Sequence, residues 1–136
     1  MRHLYRCALR WSDMDAYGHV NNAVFLRYLE EARIDFLSRR DTRSPEGSVV
    51  ARHEIDYRRQ LVHRPDPVDI ELWVTEIKAA SFTLSCEVKD ADAVYVRAST
   101  VVVPFDFEEQ RPRRITAQER EWLGKYADEA GEAVAA

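Results

Sequence analysis

Cysteine is scarce in this sequence: Cys7 and Cys86 are the only two among 136 residues. Disulfide-stabilised scaffolds contain many more cysteines, and zinc sites need more ligands at closer spacing. Both cysteines stand far apart in apolar, alternating stretches. They are therefore expected to be small buried side chains in a reducing, cytoplasmic environment, and neither a metal nor another cofactor is expected.

Long apolar runs and an excess of positive charge are also missing. No stretch approaches the ~18 apolar residues of a membrane span, and the charged N-terminus lacks the apolar segment of a signal peptide. A formal net charge of −4 argues against a general nucleic-acid surface. The length fits a single domain over residues 1–136, and the last ten residues, 127–136, have too little apolar bulk to pack and are expected to fray.

Hydrophobic periodicity predicts one long helix among several strands. Alternation over residues 4–11 predicts a strand that ends at Trp11. From Asn22 to about Arg40 the spacing becomes helical, and the residues of one stripe are Phe25, Tyr28, Leu29, Ala32 and Phe36. Alternating runs separated by short connections fill residues 48–105, as in an antiparallel sheet. Thr116 and Glu119 form a capping box that opens a last helix.

These elements predict an α+β fold. One long, broadly apolar helix and about five antiparallel strands bury each other most simply when a curved sheet wraps around the helix. Leu26, Ile34 and Leu37 carry apolar character beyond the main stripe. Part of the helix surface is therefore expected to meet a second subunit.

The polar segment before the helix carries the chemistry. Asp15 lies seven positions before Asn22, and Gly18 allows the chain between them to turn tightly. Asn21 or Asn22 is expected to cap the helix, whose N-terminus favours a developing negative charge. A carboxylate held beside such a terminus is half of a hydrolytic site. Asp15 has a structural alternative, which is to cap the turn through its side chain.

The motif resembles a known family. Asp13-Met-Asp15-Ala-Tyr-Gly18-His-Val-Asn-Asn22, the helix segment Tyr28-Leu-Glu30-Glu-Ala-Arg33 and the order of elements over residues 4–125 resemble the hotdog-fold acyl-CoA thioesterases of the hydroxybenzoyl-CoA thioesterase type. The resemblance implies hydrolysis of a thioester to a carboxylate and free CoA, with Asp15 as general base or nucleophile. It further implies a carbonyl held by a helix N–H near Asn22, and a homodimer or homotetramer with the site at the subunit interface.

The remaining residues of the loop receive several roles. The segment also looks like plant acyl-ACP thioesterases, in which Asp, Asn and His alternate; here these positions are Asp15, Tyr17 and His19, so the Asn role does not carry over. His19 either takes part in catalysis, lines the acyl pocket or is structural. Tyr17, Gly18, Asn21 and Asn22 are candidate oxyanion or substrate contacts. Asp13 is expected to be a hydrogen-bond acceptor of the loop, and Glu30 to be structural.

A basic stretch further along the chain is the candidate CoA contact. Its members are Tyr57, Arg58, Arg59, His63 and Arg64. An arginine side chain binds phosphate through its planar fork of donors, although an ordinary solvated edge is the alternative. His53 is expected in the core, and the aromatic residues Trp11, Tyr17, Phe25 and Tyr28 either wall an acyl chamber or fill the core. The alternatives to an acyl-CoA thioesterase are a non-catalytic acyl-CoA binding protein, an acyl-ACP thioesterase and a hotdog hydratase.

Overall fold

The computed structural model describes residues 1–40 and 47–128, and within them one antiparallel sheet packs on a long helix. The main strands follow the order β1-β3-β4-β5-β2, and the two-residue β6 pairs with β5. In chain order the elements are β1 (His3–Cys7), α1 (Asn22–Leu37), β2 (Ser48–Tyr57), β3 (Val68–Ile77), β4 (Phe82–Lys89), β5 (Val94–Asp106), β6 (Arg111–Pro112) and α2 (Ala117–Gly124).

Helix α1 supplies one side of the core. Its five buried residues are those of the predicted stripe, Phe25, Tyr28, Leu29, Ala32 and Phe36. They join one buried cluster with alternate residues of the strands, among them Ile70, Leu72, Leu84, Val96 and Val102. The prediction of a helix buried against an antiparallel sheet is therefore confirmed. The helix is too short and too polar to cross a membrane, and so is every other helix in the described part of the chain.

The first strand ends earlier than its alternation predicts. β1 stops at Cys7, and a short 3-10 turn at Trp11–Asp13 leaves Trp11 74% exposed. The turn is closed by the carboxylate of Asp13, which accepts a hydrogen bond from the backbone N–H of Arg10 at 3.1 Å. Because this local bond competes with strand pairing, the predicted strand end at Trp11 is wrong.

The second helix closes the end of the core. The capping box is confirmed, since Thr116 and Glu119 each accept a hydrogen bond from the other's backbone N–H. Trp122 stacks on Phe36 of α1 with ring centroids 4.7 Å apart.

The first residues of the segment expected to fray are held in place. Ala127 forms a parallel bridge with Val74, and the Asp128 carboxylate accepts a hydrogen bond from Arg2 at 2.6 Å. Backbone and ionic contacts thus connect residues 127 and 128 to the rest of the fold, and the fraying of the segment stays a prediction. Residues 129–136 and 41–46 lie outside the described residues, and the latter include most of the segment 41–47, whose Pro and Gly are expected to end the helix.

Strand β2 is one of the two edges of the sheet. It pairs with β5 on one side, and within the described chain nothing pairs with its other side. Its inner face, which continues the core face of β5, carries Val50, His53, Ile55 and Tyr57. His53 and Tyr57 are exposed, so the expectation that His53 lies in the core is wrong. The reason is that α1 packs mainly on β1 and β3, and its described contacts with β2 are at Tyr57, near the helix start.

Candidate active site

The segment between β1 and α1 folds into a tight turn whose base is a bridge between Met14 and Val20. The N–H of Asp15 donates to the carbonyl of His19, and the N–H of Gly18 donates to the carbonyl of Asp15, both at 3.0 Å. Gly18 has a φ of +80°, a conformation that side chains disfavour, so the expected role of this glycine in the turn is confirmed.

The Asp15 carboxylate is held by two donors. Its Oδ1 accepts the backbone N–H of Tyr17 at 2.9 Å, and its Oδ2 accepts the Asn21 side-chain amide at 3.1 Å. The first contact is the turn-capping bond that was the structural alternative for Asp15. A carboxylate oxygen has two lone pairs, so each oxygen retains acceptor capacity toward the half-open surroundings of this side chain.

The N-cap of α1 is Asn21. Its Oδ1 accepts the N–H of Ala23 at 2.8 Å, and its carbonyl accepts the N–H of Val24 at 2.9 Å. The next residue, Asn22, is the first of the helix. Within the described residues its N–H has no partner, while its carbonyl accepts the Tyr57 hydroxyl at 2.9 Å. One free N–H of the first turn therefore lies directly beside the residue that binds Asp15.

Asp13 is a structural residue, as predicted. It is 3% exposed, and its carboxylate accepts hydrogen bonds from Arg27 and from the Tyr28 hydroxyl as well as from the backbone of Arg10. Burial by itself would raise the pKa of Asp13, but these hydrogen bonds outweigh burial and hold the pKa below its ordinary value. With its oxygens occupied inside the protein, Asp13 anchors the loop to α1.

His19 is half-buried beside this turn. Its Nδ1 is buried and is one of four such side-chain atoms, among the described residues, without a hydrogen-bond partner. A buried polar atom without a partner is uncommon in native proteins and calls for an explanation.

An open groove of about 550 Å³ brings most of the predicted site together. From the turn and the helix start it is lined by Asp15, Tyr17, His19, Asn21 and Asn22, and from the far end of β2 by Tyr57, Arg58 and Arg59. Tyr17 is 86% exposed at its rim. Two regions that the sequence keeps some 35 positions apart therefore meet, and the hydrogen bond from the Val20 N–H to the Leu61 carbonyl, at 2.7 Å, joins them.

Two residues that line the groove, Val20 and Gln60, were not anticipated as part of this site. Gln60 lies in the groove wall next to Arg59, and Phe25, which is 2% exposed, lines the groove floor. Gln60 offers no distinctive signal in the sequence. Phe25 was assigned either to the core or to an acyl chamber, and it borders both. Tyr28 and Trp11 do not line this groove: Tyr28 is in the core, and Trp11 is on the surface.

Arg64 and His63 lie in a neighbouring groove, which also contains Arg59 and Gln60. The Arg64 guanidinium donates to Asp90 at 2.5 Å, and the Tyr95 hydroxyl donates to the same carboxylate oxygen at 2.5 Å. Despite the cost of burial, these bonds hold the pKa of Asp90 well below its ordinary value. Arg64 is thus neutralised by a carboxylate, whereas Arg58 and Arg59 are exposed and fixed only through their backbone N–H bonds to Tyr95.

The arrangement offers carboxylate, amide and imidazole groups but no evident metal centre. Within residues 1–40 and 47–128, no group of three or more His, Cys, Asp or Glu side chains is close enough to hold a metal ion.

The fold is a single antiparallel sheet packed on a long helix, and a loop carboxylate lies at the N-terminus of that helix. Comparison with known families shows which proteins share this arrangement. Residues 9–123 match the model of the thioesterase-like superfamily, and the chain belongs to that superfamily. A thioesterase of Thermus thermophilus, solved in complex with coenzyme A and zinc, is 30% identical, with 90% of this chain and 92% of that chain covered at a TM-score of 0.79.

More distant structures share the fold. A predicted thioesterase of Bacillus stearothermophilus is 23% identical, with a TM-score of 0.83 over 94% of this chain and 98% of that chain. A 1,4-dihydroxy-2-naphthoyl-CoA thioesterase of Synechocystis is 19% identical, with a TM-score of 0.75 over 91% and 96%. The predicted hotdog fold is therefore confirmed. The search of curated proteins gave no match.

Proposed function

We propose that this protein is an acyl-CoA thioesterase that hydrolyses a thioester to a carboxylate and free CoA, with Asp15 as the reacting carboxylate. The observation that carries the proposal is the position of Asp15 beside the free N–H of Asn22, bridged by the Asn21 side chain. Membership of the thioesterase-like superfamily and the coenzyme A bound to the Thermus thermophilus protein support the substrate class.

The chemistry needs one carboxylate and one oxyanion donor. The Asn22 N–H, aided by the helix dipole, would hold the thioester oxygen as negative charge develops on it. Asp15 either takes a proton from water, whose hydroxide adds to the carbonyl carbon, or adds to that carbon itself to give a mixed anhydride that water then cleaves. On both routes the C–S bond breaks and the CoA sulfur leaves as a thiolate, which then takes up a proton.

CoA would enter along the segment that follows β2. Arg58 and Arg59 are exposed in the same groove as Asp15, and the Tyr57 hydroxyl ties this segment to the helix start. Guanidinium groups suit phosphate oxygens because they donate in a planar fork. Arg64 is less suited to that role, because the carboxylate of Asp90 already neutralises it.

The complete site would include a second copy of the chain. The far end of β2, with Tyr57 on its inner face, borders the groove. β2 has ten residues and pairs with β5 on one side only, and native proteins usually cover a free strand edge of this length. A homodimer joined there, alone or as half of a tetramer, would close the groove from the side that α1 leaves open.

The proposal is tested with purified protein, a panel of acetyl-, octanoyl-, palmitoyl- and benzoyl-CoA, and a thiol reagent that detects released CoA. We expect turnover on at least one member, and a loss of at least a hundredfold in kcat for Asp15→Asn, which keeps the size and one acceptor oxygen for the Tyr17 N–H but loses the basic carboxylate and the acceptor for the Asn21 amide. Asp66→Asn, at an exposed loop carboxylate, is the matched control and should keep its kcat.

Three results would decide against parts of the proposal. Full turnover by a folded Asp15→Asn variant would remove Asp15 from the chemistry. Turnover on acyl-ACP alone would reject CoA as the carrier. Tight binding of an acyl-CoA without any hydrolysis would indicate a binding protein in place of an enzyme.

A further inference from the structure

Tyr57 contacts the start of α1 from the end of β2. Its hydroxyl donates to the Asn22 carbonyl at 2.9 Å, and its ring packs edge-on against Phe25 with ring centroids 5.9 Å apart. Tyr57 is the last residue of β2 and pairs with Val96 of β5, so its backbone belongs to the sheet. This tyrosine therefore connects the hydrogen-bonded sheet to the helix start, where the candidate catalytic groups lie.

The backbone does not need the hydrogen bond that Tyr57 supplies. In an α-helix the carbonyl of residue i accepts the N–H of residue i+4, so the Asn22 carbonyl has the Leu26 N–H as its regular partner. Tyr57 itself is 43% exposed in an open groove, where water can bind its hydroxyl. Because the bond satisfies no buried group, its value lies in the position that it gives to the helix start.

Two amide groups continue from this hydrogen bond to the candidate catalytic carboxylate. The Asn22 carbonyl and the Ala23 N–H belong to one peptide group, and this N–H donates to the Oδ1 of Asn21 at 2.8 Å. The amide nitrogen of the same Asn21 side chain donates to the Oδ2 of Asp15 at 3.1 Å. Three consecutive hydrogen bonds thus connect the Tyr57 hydroxyl to Asp15, through one peptide group and one side-chain amide.

Hydrogen bonds in such a series reinforce one another. An amide is stabilised by resonance, so a donor at its oxygen draws electrons from its nitrogen and makes its N–H a stronger donor. The Tyr57 hydroxyl would in this way strengthen the bond from Ala23 to Asn21, and that bond would strengthen the one from Asn21 to Asp15. Since the gain is roughly 10–30% per bond, the larger consequence is the orientation that the series imposes.

The orientation of Asp15 depends on both of its bound oxygens. Its Oδ1 is held by the Tyr17 N–H of its own turn, and its Oδ2 is held by Asn21. A misplacement of about 1 Å can lower a reaction rate by about a hundredfold. Asn22 also carries the free N–H that would bind the thioester oxygen, so Tyr57 steadies the carboxylate and the oxyanion donor together.

We propose that Tyr57 is a positioning residue for hydrolysis, whose hydroxyl orients the Asp15 carboxylate through the peptide group of Asn22 and Ala23 and through the Asn21 side chain. This inference rests on the proposed function, because it assumes that Asp15 carries out the chemistry. It gives Tyr57 a role different from a contact with CoA. A CoA contact would change the binding of substrate, whereas a positioning residue changes the rate of the bound complex.

The kinetic test uses Tyr57→Phe, which keeps the ring on Phe25 and removes only the hydroxyl. We expect kcat on the best acyl-CoA of the panel to fall by about threefold to thirtyfold, with KM within about twofold of the native value. Tyr126→Phe is the matched control, because the Tyr126 ring packs on Phe36 at the other end of α1, and it should keep the native kcat. An unchanged kcat for Tyr57→Phe, or a rise in KM alone, would overturn the proposal.

A double-mutant cycle tests the route of the effect. Asn21→Ser removes the amide group that reaches Asp15. If Tyr57 acts through this amide, adding Tyr57→Phe to Asn21→Ser should lower kcat by less than about twofold. Equal losses from Tyr57→Phe in the two backgrounds would show independent effects and would overturn the route through Asn21.

A measurement without turnover separates this inference from the proposed function. In proton–nitrogen NMR spectra, the Asn21 side-chain amide proton that binds Asp15 should move upfield in Tyr57→Phe, because its hydrogen bond weakens, and should stay in place in Tyr126→Phe. This shift would support the connection even if no acyl-CoA is hydrolysed, in which case the proposed function alone fails. An Asn21 signal that does not move in Tyr57→Phe would overturn the inference even if Asp15→Asn abolishes hydrolysis.

Discussion

Among single side chains, Asp13 and Asp15 have different roles, structural and proposed catalytic, although only Met14 separates them. Asp13 is buried and bound by Arg27 and Tyr28, whereas Asp15 faces a groove. We expect Asp13→Asn to lower the free energy of unfolding at pH 7 by about 2–4 kcal/mol, because the bonds to a buried carboxylate are lost and Arg27 loses its counter-charge. Urea unfolding measures this difference.

The effect of Asp13→Asn on the free energy of unfolding should depend on pH. The folded-state pKa of Asp13 is below its unfolded value, so its stabilising effect is present above about pH 4 and is lost as the pH falls through the folded-state pKa. The gap in stability between the native protein and Asp13→Asn should therefore narrow between pH 5 and pH 2. Asp66→Asn should show no such gap at any pH, and a pH-independent gap for Asp13→Asn would contradict the role of its charge.

His19 offers a second residue-level prediction, since its buried Nδ1 lacks a partner. If the imidazole positions the attacking water, His19→Ala should lower kcat by about tenfold to a thousandfold and leave KM nearly unchanged. His19→Asn should recover part of the loss, because its side-chain amide reaches about as far as Nδ1. Steady-state kinetics on the best acyl-CoA distinguish this role from a place in the acyl pocket, for which KM would rise and kcat would stay constant.

At the level of elements, one side chain at the start of α1, that of Asn21, makes two different contacts. Asn21 caps the helix through its Oδ1 and donates to Asp15 through its amide. Asn21→Ser retains an oxygen for the cap and removes the amide group that reaches Asp15, so we expect stability within about 0.5 kcal/mol of the native protein but a lower kcat/KM. Asn21→Ala should lose the cap as well, at a further cost of about 1 kcal/mol.

Thermal unfolding and thioester hydrolysis, measured on both variants, separate the two functions. If Asn21→Ser keeps full activity, the amide contact has no influence on Asp15. If Asn21→Ser is as unstable as Asn21→Ala, the capping bond is not what holds the start of the helix.

The helices were the elements that the sequence predicted best. The buried stripe of α1 and the capping box at Thr116 depend on residues three or four positions apart, so local spacing contains the necessary information. β1 was predicted to end four residues too late because the bond between Asp13 and the Arg10 backbone overrides the alternation. His53 on β2 was wrongly expected in the core, because alternation reveals which residues share a face and not what covers that face.

At the level of the whole molecule, the candidate site depends on contacts across the fold. The loop containing Asp15 was predicted from its own motif, but its approach to Arg58 and Arg59 depends on the pairing of β2 with β5 and on the Val20–Leu61 hydrogen bond. The neutralisation of Arg64 by Asp90 is equally long-range. Spacing in the sequence indicates neither contact. The basic stretch could therefore be predicted as a candidate CoA contact, but the exposed Arg58 and Arg59 could not be distinguished from Arg64, which is paired with Asp90.

The exposed edge of β2 leads to the last prediction. Leu26 of α1 is 39% exposed, much of β2 is exposed as well, and a second copy that binds at this edge would cover both. We expect the native protein to have the mass of a dimer or tetramer in size-exclusion chromatography with light scattering at micromolar concentrations. Leu26→Lys should shift this mass toward the monomer, because a buried, unpaired ammonium at the interface is unfavourable, whereas in the monomer it remains in water.

The matched control is at the opposite edge of the sheet. Leu4 on β1 is exposed to a similar extent, 47%, and lies away from the groove. Leu4→Lys should therefore keep both the native mass and the native hydrolysis rate. Leu26→Lys should lose thioester hydrolysis in parallel with its loss of mass, with a native circular dichroism spectrum. A fully active Leu26→Lys monomer would show that one chain contains the complete site, and the free edge of β2 would then need a different explanation.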